Sequence, residues 1–182
     1  MVKLHIGCGV RNFGPDWIHI DGEKLDHVVY NDITRLNFET HSVDLIYASH
    51  VLQYFDRTEV KDVLHEWHRV LKPGAILRIA VPNFKILSNM YFGGYLNLNQ
   101  LLGPMYGRWS MNGKIIYHKT TYDFDSLKTL LDDIGFKDIT KYEWRNTNHS
   151  QFDDHSQAYI PHMDKENGTL ISLNVEATKL WL

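Results

Sequence analysis

The chain has one cysteine, Cys8, among 182 residues. No intramolecular disulfide can form, which suits a reducing compartment. No apolar run approaches the roughly 20 residues that a spanning helix needs. The opening Met1-Val2-Lys3 lacks the charged and apolar regions of a secretion signal. The expectation is a cytoplasmic protein with no membrane partner. Net charge is -3 and no Lys/Arg cluster occurs, so nothing points to nucleic acid. Internal repeats and low-complexity linkers are also missing. The 11 histidines are scattered; only His65 and His68 fall close together on one predicted helix. With no third ligand in reach, no metal site is expected. Hydrophobic residues at 43% and charged residues at 23% exclude a disordered chain. The length suits one domain over residues 1–182.

What the chain does have is concentrated at its start, Lys3 to Asp21. An apolar run, Leu4 to Ile6, meets the glycine turn Gly7-Cys8-Gly9. A second run, Trp17 to Ile20, ends on Asp21. Glycines let backbone approach a ligand closely, and a carboxylate at the next strand end can hold both hydroxyls of a ribose. The interval from Gly9 to Asp21 is shorter than the roughly 20 residues of a dinucleotide fingerprint. It leaves little room for a first helix, whose N-terminus would receive a pyrophosphate. A nucleoside ligand without phosphates fits better. Cys8 reads as a small residue that fits the turn rather than as a nucleophile.

Further strands are expected at Val28–Tyr30, ending at Asn31-Asp32, and at Val43–Ala48. A helix is expected over Thr58–Leu71, its apolar residues at helical spacing, with Thr58 as N-cap. Lys72-Pro73-Gly74 should stop it. Ala75–Val81 reads as the fifth strand. Residues 84–121 read as an irregular, aromatic-rich insert punctuated by glycines, either a lid or a loop packed on the core. Asp125–Ile134 reads as a helix closed by Gly135. Phe136–Trp144 and Thr169–Thr178 read as the last two strands, and Arg145–Asn167 as a polar loop.

The segment VDLIYASHVLQYFDRTEVKDVLHEWHRVLKPGAILRIAVPNF carries a resemblance. Its strand ending in SHVL, helix with EWHRVLKPG and strand LRIAVP resemble the small class I S-adenosylmethionine-dependent methyltransferases. The likeness is nearest to compact methyltransferases of the type-11 kind. HKTTYDFDSLKTLLDDIGF and GTLISLNVEATK match as well, so it spans Lys3 to about Lys179. It implies an α/β, Rossmann-like fold: a seven-stranded, mostly parallel sheet with flanking helices, the last strand antiparallel and the first helix shortened. It implies S-adenosylmethionine as cofactor, with S-adenosylhomocysteine as product. Gly7, Cys8 and Gly9 would face the methionine portion and Asp21 the ribose. Asp32 and the backbone of Ile33 would meet the adenine. Ser49 and His50 would sit under the sulfonium and the amine. Asp32 could instead cap its own turn, and Ser49 could cap the next one. Relatives often carry an acid and a histidine after SHVL; here Gln53 and Tyr54 stand there.

Methyl transfer from a sulfonium is an in-line displacement in which the protein mostly aligns donor and acceptor. A hydroxyl acceptor also needs a base, and histidine suits neutral pH. His118 is the first candidate and His50 the second. Gln53, Tyr54, Trp109, Tyr117 and Tyr122 are candidates to contact the acceptor, though aromatics also fill cores. His149, His155 and His162 belong to the polar loop and could reach the pocket, while Asp153-Asp154-His155-Ser156 reads as a solvated turn. The expected function is methyl transfer to a small-molecule or glycan-type acceptor, on oxygen. The alternative is a non-catalytic module that binds S-adenosylmethionine or S-adenosylhomocysteine.

Overall fold

The computed structural model describes residues 1–30 and 32–180. Asn31, the expected strand end, lies outside the described residues. The central sheet has seven strands: β1 Lys3–Ile6, β2 Ile18–Ile20, β3 Val28–Tyr30, β4 Val43–Ser49, β5 Leu71–Pro82, β8 Phe136–Lys141 and β11 Ser172–Lys179. Their order is β3-β2-β1-β4-β5-β11-β8. The pairs from β3 to β5 are parallel, and β11 runs antiparallel to both neighbours. This is the Rossmann-like α/β architecture expected from the sequence, with the last strand antiparallel. The C-terminal ends of β1, β2 and β4 lie side by side where the strand order reverses, the place where open α/β sheets bind ligands.

The strands alternate between two unlike faces. Leu4, Ile6, Ile20, Ile46, Leu77, Ile79, Leu173 and Val175 form an aliphatic core. Helices α1 (Glu59–Val70) and α4 (Phe124–Ile134) add Leu64, Trp67, Leu127 and Leu131 to it. On the other face of the same strands stand His5, His19, Tyr47, Arg78, Asn174 and Glu176. No helix forms between β1 and β2, as the short interval requires. That face is covered instead by the turn carrying Phe13 and Trp17 and by the distant segment 144–160. Phe13 stacks on His5 at 4.0 Å and on Phe152 at 4.6 Å, and His149 lies 4.2 Å from Tyr47. The backbone N–H of Phe13 donates to His19 Nε2 at 2.8 Å, which locks the turn to β2.

Several local expectations change. Thr58 makes no side-chain cap on α1. Asp56 does that work, accepting from the backbone of Thr58 and Glu59, while Glu59 returns a bond to the Asp56 N–H at 3.0 Å. Lys72-Pro73-Gly74 does not merely end the helix. It is the bulge of β5, lying between the pairs Val43 with Leu71 and Leu45 with Ile76. Residues 84–121 are not irregular. They fold as α2 (Phe84–Phe92), α3 (Leu98–Tyr106) and a hairpin of β6 (Trp109–Met111) with β7 (Lys114–Ile116). Asn83 caps α2, and Asn97 with Gln100 makes a capping box on α3. The polar loop contains a small ribbon, β9 (Tyr159–Ile160) with β10 (Thr169–Leu170), which shortens the expected last strand. Trp144 leaves its expected strand for a 3-10 turn.

The C-terminus of α1 has an unusual stopper. Lys179 of β11 is 2% exposed, and its ammonium donates to the carbonyls of His68 at 2.5 Å and Leu71 at 2.8 Å. A cation at this end also meets the negative pole of the helix dipole. Charged hydrogen bonds of this kind are worth about 2 kcal/mol each. Lys179→Met should therefore lower unfolding stability by about 2 kcal/mol or more in urea titration, and an unchanged midpoint would refute the capping role.

The histidine-lined face makes stability depend on pH. Burial and Arg78 push His149 down to about 4. Burial and His19 hold His5 well below its ordinary value. Both stay neutral when folded but titrate near 6.5 when unfolded. The unfolded chain thus binds more protons between about pH 6.5 and pH 4, and stability falls as pH drops through that window. For His149 the loss is on the order of 3 kcal/mol. Melting temperatures should drop over this range, and His149→Phe should flatten the profile.

Candidate active site

A cavity of about 1010 Å³ opens over the C-terminal ends of β1, β2 and β4. It lies at the large end for ligand pockets and has room for a cofactor and an acceptor together. Its floor is the glycine turn. Gly7 has φ +67°, and a Cβ there would meet Val51 Cγ2 at 2.2 Å, so no other residue fits. Gly9 has φ +52° and open space where its Cβ would stand, leaving a cradle for ligand atoms. Its N–H donates to Asp21 Oδ2 at 2.7 Å, and Glu23 N–H donates to Asp21 Oδ1 at 2.8 Å. The turn and the strand-end acid are thus one hydrogen-bonded unit. Cys8 is buried, and its thiol is pushed up to about 12 by burial and by Asp21. It is no nucleophile.

Asp32 and Ile33 line the cavity beside Asp21. The Oδ1 atom of Asp32 accepts from the backbone N–H and the hydroxyl of Thr34 and from the Arg35 N–H, so this oxygen caps the turn, and none of these three bonds uses Oδ2. The Ile33 carbonyl accepts from Trp67 Nε1 at 2.8 Å, which fixes this corner to α1.

Ser49 and His50 follow β4 into the cavity. His50 sits at φ +56°, a left-handed conformation that costs a non-glycine residue about 1 kcal/mol. Its ring is tethered through a chain that fixes its proton. Asn174 donates to the Ser156 carbonyl, which leaves its Oδ1 to accept from Ser172 Oγ at 2.9 Å. Ser172 then accepts from His50 Nε2 at 3.3 Å. Burial and the neighbouring His155 hold His50 well below its ordinary value. It is a neutral, anchored histidine.

The insert closes the cavity from above. Trp109, Met111, Tyr117 and His118 line it. Asn112 at the hairpin tip donates to the Gly22 carbonyl at 2.8 Å, directly after Asp21. The backbone N–H groups of Lys119 and Thr120 donate to the Gln53 carbonyl, joining the far end of the insert to the loop after β4. His118 stands edge-on to Tyr54 at 4.9 Å. Its buried Nδ1 has no hydrogen-bond partner. Burial lowers its basicity.

Gly7, Cys8, Gly9, Asp21, Asp32, Ile33, Ser49, His50, Tyr54, Trp109, Tyr117 and His118 therefore converge on one cavity. Two candidates do not. Gln53 is buried in the 3-10 turn Leu52–Tyr54 with both side-chain amide atoms unpartnered. Tyr122 packs in the aliphatic core, and burial drives its hydroxyl upward. Asp154 was expected in a solvated turn, yet it is 6% exposed and lines the cavity. It accepts from Tyr47 Oη at 2.5 Å and the Ser156 N–H at 2.7 Å, and Ser49 Oγ reaches it at 3.4 Å. Arg11 and His155 line the cavity nearby. Burial and Arg11 hold His155 below its ordinary value. Nothing in the local sequence marks Asp154, because Tyr47 meets it across 107 positions. Among the described residues no group of three metal-ligating side chains could hold an ion, and no helix is long and apolar enough to cross a membrane.

Comparison with known proteins agrees with this geometry. A family model described as a methyltransferase domain matches residues 16–79. A SAM-dependent methyltransferase from Methanosarcina mazei is similar in structure, at 17% identity over 99% of this chain and 92% of the other, with TM-score 0.57. One from Archaeoglobus fulgidus is also 17% identical over 97% and 85%, with TM-score 0.57. A third, the 1,6-didemethyltoxoflavin-N1-methyltransferase of Burkholderia thailandensis, is solved with bound 1,6-didemethyltoxoflavin and S-adenosylhomocysteine; it is 14% identical over 99% and 71%, with TM-score 0.54. No curated protein sequence matches the chain. The family match covers β2 to β5, about a third of the chain, and the solved structures share the Rossmann-like methyltransferase fold seen here.

Proposed function

We propose that the protein is a class I S-adenosylmethionine-dependent methyltransferase that methylates a hydroxyl of a polar small molecule or glycan-type acceptor, with His118 as general base. The observation that carries this reading is His118 itself. It lines the same cavity as Gly9 and Asp21, and its buried Nδ1 has no hydrogen-bond partner. A neutral imidazole so arranged can accept a proton from an acceptor hydroxyl.

In this reading Asp21 accepts from the ribose hydroxyls, since a carboxylate offers about four lone-pair sites. Asp32 and the Ile33 backbone hold the adenine. Gly7, Cys8 and Gly9 cradle the methionine portion, with Ser49 and His50 beneath it. The bound cofactor supplies an electrophilic methyl on a sulfonium. Asp154 adds a fixed negative charge close to Ser49, which suits the cationic part of that ligand. Tyr54, Trp109 and Tyr117 wall the acceptor side, where ring faces suit a sugar or other flat polar partner. Asp21→Ala should weaken S-adenosylhomocysteine binding at least about tenfold in calorimetry, the worth of a charged hydrogen bond. Unchanged affinity would remove the ribose assignment.

The pH dependence tests the base. Because burial lowers His118, methyl transfer should be flat near neutral pH and fall only in acid, as Nδ1 becomes protonated. His118→Asn should lose about 10²-fold or more in kcat and lose the acid limb, with cofactor affinity kept. A variant as active as the wild type on a hydroxyl acceptor would rule His118 out. A second reading, a binding module without catalysis, draws on Gln53, which is buried away from the cavity where relatives often place an acid. Tight S-adenosylhomocysteine binding with no turnover on any hydroxyl acceptor would favour it.

A further inference from the structure

No acid occurs between Glu66 and Asp123. Residues 84–122 hold four of the 19 basic residues and none of the 22 acidic ones, in a chain whose net charge is -3. The same segment is where the surface is most apolar. Ten of the fifteen exposed large hydrophobic side chains among the described residues fall within it; Trp109, Ile115 and Tyr117 of these line the cavity, and the other seven lie outside it. Phe92 is 94% exposed, Tyr95 78% and Tyr106 60%. Scattered apolar residues on a surface are ordinary, but a concentration of this kind marks an interaction site.

Helix α3 makes the point residue by residue. Leu101 and Met105 turn inward onto the cluster of Leu87, Leu96 and Ile171. Leu98, Leu102 and Tyr106, at i, i+4 and i+8, form a second apolar stripe, and all three are exposed. A helix apolar on both sides is normally covered on both. Here the fold covers one.

The charges indicate the cover. Lys85, Arg108 and Lys114 are exposed and make no ion pair with a described acid; Lys119 alone pairs, with Glu59. A second copy of the chain would set cations against cations. An anionic lipid surface answers both features, because aromatic and leucine side chains enter the headgroup boundary while lysine and arginine meet the phosphates. Lying on a bilayer needs no spanning helix, so the lack of one has no bearing.

We infer that residues 84–117 form a docking surface for an anionic lipid bilayer. The insert that closes the active-site cavity is then also the part that meets the membrane. This inference does not depend on the acceptor or on the role of His118.

The test is co-sedimentation of the whole protein with vesicles of phosphatidylcholine alone or mixed with phosphatidylglycerol, at low and high salt. Binding should favour the anionic vesicles by about tenfold or more and weaken at high salt. Phe92→Ser with Tyr95→Ser should reduce it by a similar factor, and so should Lys85→Glu with Lys114→Glu. Melting temperature and S-adenosylhomocysteine affinity should stay unchanged in both double variants, since none of the four side chains lines the cavity. Failure to sediment with anionic vesicles overturns the proposal. So does a concentration-dependent dimer that the Phe92 and Tyr95 changes abolish without any vesicle binding, which would assign the surface to a second copy.

Discussion

Everything in this molecule follows from the unlike faces of one sheet. Alternation along β1, β4, β5 and β11 sends aliphatic side chains to one side and His5, Tyr47, Arg78 and Asn174 to the other. The aliphatic side takes α1 and α4 as any α/β sheet would. The polar side has no helix to cover it near β1, because the chain reaches β2 too soon. It needs cover that can both pack on aromatic rings and satisfy buried polar groups. The segment from Trp144 to Ile160 provides this, and the network from Asn174 through Ser172 to His50 is how the polar groups are paired.

That solution has a functional consequence. A helix over this face would have left the end of the cavity beside Ser49 to the glycine turn alone. The long-range segment brings Asp154 and His155 to the cavity instead. Asp154 is the clearest case of structure and site sharing a residue. It is held by Tyr47 from the sheet and by the Ser156 backbone, and it faces the same space as Ser49. A carboxylate this buried is tolerated because its hydrogen bonds are met. The electrostatics nearby are correspondingly sparse. Burial holds His50 and His155 below their ordinary values, and Asp154 and Arg11 line the cavity beside them.

The insert works by a different logic. It is pinned at two places, by Asn112 on the Gly22 carbonyl and by the Gln53 carbonyl, which takes two backbone donors. The Lys119 pair with Glu59 is half exposed and adds little. Ahead of the pins the segment packs through Leu87 and Leu96 onto Ile171. It is therefore a structured cap rather than a loose loop. It meets the cavity with His118, Tyr117 and Trp109 and presents apolar, basic surface outward.

Much of this was written in the sequence. The strand runs, the glycine turn, Asp21 at a strand end and the helix from 59 to 70 all rest on short-range periodicity and on backbone needs that one residue expresses. Gly7 and Gly9 are legible because their φ angles are local properties. The missing first helix is legible because it is a matter of chain length. The folded insert was missed because its helices are rich in Asn, Gly and aromatic residues and are held by packing more than by propensity. Gln53 and Tyr122 were misread because an amide and a phenol look alike in sequence whether they face a cavity or a core. Asp154 could not be read at all. Its burial, its partner Tyr47 and its place beside Ser49 come from contacts across more than a hundred residues, and only the closed sheet brings those side chains within hydrogen-bond distance.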